Sequence, residues 1–139
     1  MRDAPVIAIV DDDESFREAL ERFLGTFAFR VRTFASGEEF LQSGELALVA
    51  CLLLDLVMPG MSGLEVKQQL EARGLRIPTV FVTADADDEV TQHLEATGAI
   101  AIVPKPVDQQ KLLRLTRGVV GERRGCFSNV RVKGTCGRD

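Results

Sequence analysis

The sequence predicts an α/β protein built on a doubly wound, five-stranded parallel sheet with helices on both faces. Three observations carry that expectation. Five short apolar or β-rich runs, at residues 6–10, 30–34, 49–54, 78–83 and 99–103, alternate with five segments of helical character. Strict alternation of this kind implies parallel strands joined by right-handed crossovers. The central run, VACLLL at 49–54, contains no charged or strongly polar residue, as expected of a strand covered on both faces.

The elements follow in order. VIAIV at 6–10 is a short apolar strand that runs straight into Asp11, Asp12 and Asp13. Phe16, Ala19, Leu20, Phe23, Leu24 and Phe27 then recur at helical spacing, which predicts an amphipathic helix over about 14–27. Asp13 is read as structural at the start of that helix, where an aspartate commonly caps the backbone. Residues 30–34 (RVRTF) alternate polar and apolar, as an edge strand would. Ser36-Gly37-Glu38-Glu39 has the S-x-x-E form of a capping box and opens a short helix through Phe40 and Leu41. The central strand follows and delivers Asp55 at its C-terminal end.

Beyond Asp55, Met58-Pro59-Gly60 is a turn whose methionines, Met58 and Met61, are expected to pack it. Ser62-Gly63-Leu64-Glu65 is a second capping box and starts a third helix that reaches about Arg73. PTVFVT at 78–83 is a strand ending on the hydroxyl of Thr83, and the acidic segment 85–89 leads into a helix that stops near Gly98. The fifth strand, 99–103, ends in Pro104-Lys105-Pro106. Asp108 can then cap a last helix with Leu112, Leu115 and Val119 on one face.

At 139 residues the chain is expected to form one domain, over residues 4–120. No apolar run is long enough for a membrane span or a signal-peptide core, so a cytoplasmic location is expected. Cys51, Cys126 and Cys136 are an odd number with one member inside the central strand, which argues against a disulfide framework, and their spacing fits no zinc site. Charge is uneven: residues 1–116 carry 11 basic and 19 acidic groups, residues 117–139 carry 6 and 2. An acidic body lacks the cations that neutralise nucleic-acid phosphates, so direct nucleic-acid binding is not expected of it. From Gly118 onward no apolar stripe continues, and 121–139 is read as a basic, flexible tail.

Four strands finish on residues capable of chemistry: Asp11 and Asp12 after the first, Asp55 after the third, Thr83 after the fourth and Lys105 after the fifth. In a doubly wound sheet these ends converge on one edge, near the point where strand order reverses. Carboxylates gathered there repel one another and need a cation. The ligands are hard oxygens with no His or Cys at any strand end, which favours Mg2+ over zinc or copper. A carboxylate beside Mg2+, a threonine hydroxyl and a lysine ammonium is arranged for phosphoryl transfer onto the carboxylate.

Asp11-Asp12, Asp55 within DLVMPGMSG, Thr83-Ala84 and Lys105-Pro106 together resemble, in order and spacing, the receiver domain of two-component response regulators. The V-D-D-D-E start and the K-P-V-D ending look most like the FixJ-type subgroup. The resemblance implies a flavodoxin-like fold of strand order 2-1-3-4-5. It also implies roles by position: Asp55 as phosphoacceptor, Asp12 and Asp55 with the backbone carbonyl of Val57 as direct Mg2+ ligands, and Asp11 acting largely through a bound water. Thr83 would hydrogen-bond the phosphoryl group, and Lys105 would pair with it, followed by a cis bond to Pro106. The implied partners are a sensor histidine kinase or phosphotransfer protein as donor and a downstream protein that docks on the fourth helix, fifth strand and fifth helix, roughly 87–120. A homodimer that forms on phosphorylation is a further expectation. Such a domain phosphorylates and dephosphorylates itself rather than turning over a substrate.

Ile102 stands where receivers usually carry an aromatic residue, and Val57 and Asp85 flank the path of a hydrolytic water. His93, mid-helix among polar residues, is expected to be exposed and to take no part in phosphotransfer. An alternative function is a receiver that no longer cycles and serves as a constitutive docking module; the intact acidic set, Thr83 and Lys105 argue against it. A phosphatase with an aspartyl nucleophile ranks last, because Val57 occupies the place where such enzymes carry a second acid.

Overall fold

A computed structural model describes residues 5–84 and 87–125. Among the described residues five strands alternate with five α-helices, in the order β1 (Val6–Val10), α1 (Glu14–Gly25), β2 (Arg30–Phe34), α2 (Gly37–Leu41), β3 (Val49–Asp55), α3 (Gly63–Ala72), β4 (Thr79–Thr83), α4 (Asp88–Glu95), β5 (Ala101–Pro104) and α5 (Gln109–Gly125). The strands form one parallel sheet in the order β2-β1-β3-β4-β5. Strand order therefore reverses between β1 and β3, with β2 laid down on one side and β4 and β5 on the other, at the expected switch point.

Side chains alternate across a strand, so each central strand feeds two layers. Ala8, Val10, Leu52, Leu54 and Phe81 face one layer, closed by Phe40 of α2, Val66 and Leu70 of α3 and Leu94 of α4. Ile7, Ile9, Cys51, Leu53 and Val80 face the other, closed by Leu20 and Leu24 of α1 and Leu112 and Val119 of α5. β1 and β3 are buried along their whole length, which is the physical reason VIAIV and VACLLL carry no charge. The edge strand β2 is only half-buried, with Arg32 exposed. Met58 is buried and Met61 packs on the same core, so both fill the turn as expected.

Helix starts are set by the residues read as caps. Asp13 accepts from Phe16 N, Ser36 from Glu39 N, Asp87 from Val90 N, and Asp108 from Gln110 N and Lys111 N. Ser62 and Glu65 form a complete capping box, each side chain bonded to the other's backbone N–H. At α2 the reciprocal bond shifts by one residue, since Glu39 Oε1 accepts from Ala35 N rather than from Ser36. Removing the α1 cap with Asp13→Ala is expected to cost about 1 kcal/mol in urea unfolding, a typical value for a lost N-cap.

Several boundaries differ from the sequence reading. α1 stops at Gly25; Thr26 N and Phe27 N bond to Phe23 O and Leu24 O in a tighter turn, and Ala28 at φ 71° redirects the chain toward β2. β5 starts two residues late, although Ile100 N already donates to Thr79 O. A 3-10 turn at Leu46–Leu48 precedes β3. α5 continues to Gly125, past the boundary read at 120, while residues 126–139 with Cys126 and Cys136 lie outside the described residues. Cys51 is a buried thiol in β3, outside any disulfide. No helix among the described residues is long and apolar enough to cross a membrane.

Candidate functional site

Strand register assembles the site. Val10 pairs with Leu54, so the next residues, Asp11 and Asp55, leave adjacent strands side by side. Asp55 pairs with Val82, and Thr83 with Pro104, which brings Thr83 and then Lys105 to the same edge. Lys105 N donates to Thr83 O at 2.9 Å, and the Lys105–Pro106 bond is cis, as expected.

Asp11, Asp12 and Asp55 each present a carboxylate oxygen, and these oxygens lie within 4.8 Å of one another. Asp11 is 1% exposed and Asp55 6%, whereas Asp12 faces solvent. Lys105 Nζ bridges the two buried carboxylates, at 3.0 Å from Asp11 Oδ2 and 3.6 Å from Asp55 Oδ2. Asp11 Oδ1 accepts from Asp13 N at 2.9 Å, and Asp55 Oδ1 is 3.4 Å from Val57 N. The Val57 side chain is 68% exposed. Three carboxylates against one ammonium leave an excess of negative charge in a partly dry site. The donor set consists of hard oxygens of the kind that suits Mg2+.

The electrostatics register that excess. Burial, then the Asp11 charge, pushes Asp55 up to about 6, against the opposing pull of Lys105 and the Val57 N–H. For Lys105 burial acts downward, but its hydrogen bond to Asp11 and the charges of Asp11 and Asp55 prevail and hold the ammonium above its ordinary value.

Some neighbours were not legible as site residues. Phe16, read only as part of the α1 apolar stripe, lies under Lys105 with Nζ 4.6 Å from the ring centroid. Arg17 Nη1 donates to the Asp11 carbonyl at 2.7 Å and ties α1 to the acidic loop. Gly63 N donates to Leu56 O at 2.9 Å, and a Cβ at this glycine would overlap the Asp55 carbonyl oxygen. The sequence signal for the first two was their position within six residues of Asp11, in the first turn of the helix that follows it. Gly63 is signalled only by being a glycine in the first turn of a helix. Ile102 is half-buried against the α2–α4 layer, His93 is exposed in the last turn of α4, and Asp85 lies outside the described residues.

Comparison with known proteins fits this geometry. Residues 7–117 match the family model of the response regulator receiver domain. The chain is similar to the response regulator protein TmoT of Ectopseudomonas mendocina, 39% identical over 113 residues that cover 81% of this chain and 51% of TmoT. It is also similar to the response regulator protein TodT of Pseudomonas putida, 34% identical over 117 residues, covering 84% of this chain and 52% of TodT. The chain thus spans about half the length of these curated relatives. Among solved structures it resembles the response regulator StyR at 40% identity and a TM-score of 0.79, over 88% of this chain and 64% of that one. Strand order, the carboxylates gathered at the switch point and the family match over most of the sequence agree: the chain belongs to the receiver domains of two-component response regulators.

Proposed function

We propose that Asp55 accepts a phosphoryl group in a Mg2+-dependent transfer from a phosphohistidine on a sensor histidine kinase or phosphotransfer protein. One observation supports this reading above the rest: Lys105 bridges Asp11 and Asp55 beside the exposed Asp12. An Asp55 oxygen forms a bond to phosphorus while the phosphorus–nitrogen bond of the donor breaks. The electron pair of that bond returns to the imidazole, and a mixed anhydride remains on Asp55. Asp12, Asp55 and the Val57 carbonyl would hold Mg2+, with Asp11 acting through a bound water, and the ion would neutralise charge on the transferring oxygens. Lys105 would supply a second positive charge, and the Thr83 hydroxyl would donate to the new phosphoryl group.

Water would later attack the phosphorus, past Val57, breaking its bond to the Asp55 oxygen, releasing inorganic phosphate and returning Asp55 to its carboxylate. The phosphorylated state would be passed on through α4, β5 and α5, to a downstream protein or to a second copy of the chain.

Incubation with acetyl phosphate and Mg2+ tests the transfer without a kinase. The expected result is a mass gain of one phosphoryl group, lost when Mg2+ is chelated and lost in Asp55→Asn. A constitutive docking module that does not cycle would show no gain under any of these conditions.

A further inference from the structure

At the end of the sheet opposite the carboxylates, the end of α3 and the loops entering β4 and β5 enclose an open cleft of about 560 Å3. Small-molecule sites commonly fall between roughly 300 and 1,000 Å3. Its walls include Leu75, Ile77 and Ile100, and Lys67, Glu71 and Arg76 supply the charge. Lys67 lies on the buried stripe of α3 with Val66 and Leu70, where a helix facing the core would ordinarily carry an apolar residue. Its side chain is only 8% exposed.

Among the described residues, the charged neighbour of that ammonium is the Glu71 carboxylate at 3.8 Å, longer than a hydrogen bond. Glu71 is itself more than half exposed, so water competes for it. Burial lowers the Lys67 pKa and Glu71 restores only part of the loss. An ammonium carries three donors, and a buried one left unmatched is costly. Arg76, exposed at the rim, adds a second positive charge, so the cleft carries two cations against one carboxylate.

We propose that this cleft binds a small amphiphilic carboxylate, whose acid group takes the Lys67 ammonium and whose apolar body lies on Leu75, Ile77 and Ile100. A cationic ligand would meet Lys67 and Arg76, and a neutral hydrocarbon would leave the ammonium unmatched. The site shares no residue with the acidic edge and does not depend on phosphoryl chemistry.

The test is titration of octanoate into the full chain, followed by amide NMR shifts, with octanol and octylamine as counterparts of equal length. The expected result is saturable shifts confined to the end of α3 and to residues around Thr97 and Ile100, with octanol and octylamine weaker by about tenfold or more. Lys67→Met is expected to weaken octanoate by about tenfold or more and Lys67→Arg to retain most of the affinity. Glu71→Gln, a change at a half-exposed position that leaves the fold intact, is expected to tighten it by removing the competing carboxylate. Absence of saturable shifts at millimolar octanoate, equal binding of octanol, or Glu71→Gln binding no more tightly than the unaltered chain would each overturn the proposal.

Discussion

Gly63→Ala is expected to destabilise the protein by about 3 kcal/mol and to slow phosphoryl uptake at Asp55, although residue 63 carries no functional group. Gly63 opens α3 directly beneath the end of β3. A Cβ there would overlap the Asp55 carbonyl oxygen and press on Leu56 Cα at 3.0 Å. Both obstacles are backbone, so no side-chain rotation relieves them. Either α3 lifts off the sheet, breaking the Gly63 N to Leu56 O bond and loosening Val66 and Leu70, or the Asp55 strand end moves. The second route displaces the carboxylate relative to Asp11 and Lys105, so the loss would appear in both urea unfolding and the rate of acetyl phosphate labelling. Glycines with open space around them, such as Gly25, offer a control for the general effect of glycine replacement. Gly25→Ala should leave labelling unchanged.

In metal-free protein, Asp55→Asn is expected to stabilise the fold by about 3 kcal/mol at neutral pH, which follows from converting the shift of Asp55. The folded-state value is about 6, against 3.8 for the ordinary carboxyl. Below about pH 4 both folded and unfolded chains hold the proton, and the carboxyl costs nothing. As pH rises toward 6 the unfolded chain ionises first, so stability falls, and above 6 the folded state carries the whole penalty of an ionised, buried Asp55 beside Asp11. The asparagine variant escapes that fall. Urea unfolding in chelator should therefore show the two proteins converging near pH 4 and separating through pH 6. A gap independent of pH, or a variant less stable than the parent at pH 7, would contradict the burial and charge repulsion that raise the pKa of Asp55. Mg2+ should narrow the gap, because the cation stabilises the parent and has fewer ligands in the variant.

Most of the architecture could be read from the chain because it rests on local chemistry. The charge-free VIAIV and VACLLL runs report burial on both faces, and Ser62 with Glu65 or Asp13 alone report helix starts through bonds spanning three residues. The carboxylates, Thr83 and Lys105 were legible for a related reason. Each sits within two residues of the end of a strand, and parallel topology carries all such ends to one edge. What escaped the reading depends on contacts between segments distant in sequence. Lys105 over Phe16, the overlap that forbids a side chain at Gly63, and Lys67 in the cleft beside the loops entering β4 and β5 arise only once helices dock on the sheet. Spacing assigns Phe16 to a face of α1 but says nothing of which cation will lie on its ring. The run of glycines after 118 read as a loss of helical pattern. Yet α5 persists to Gly125, since a helix already anchored by Leu112 and Val119 extends at little cost per added residue.

The central claim is that one buried acid among three, Asp55, carries the phosphoryl group. Reduction of the acetyl phosphate-labelled chain with borohydride tests it most directly, because an acyl phosphate on aspartate is converted to homoserine and peptide mass spectrometry then locates the converted residue. The expected result is homoserine at position 55 alone, dependent on Mg2+. Conversion at Asp11 or Asp12, or phosphate retained on His93 with Asp55 unaltered, would contradict it.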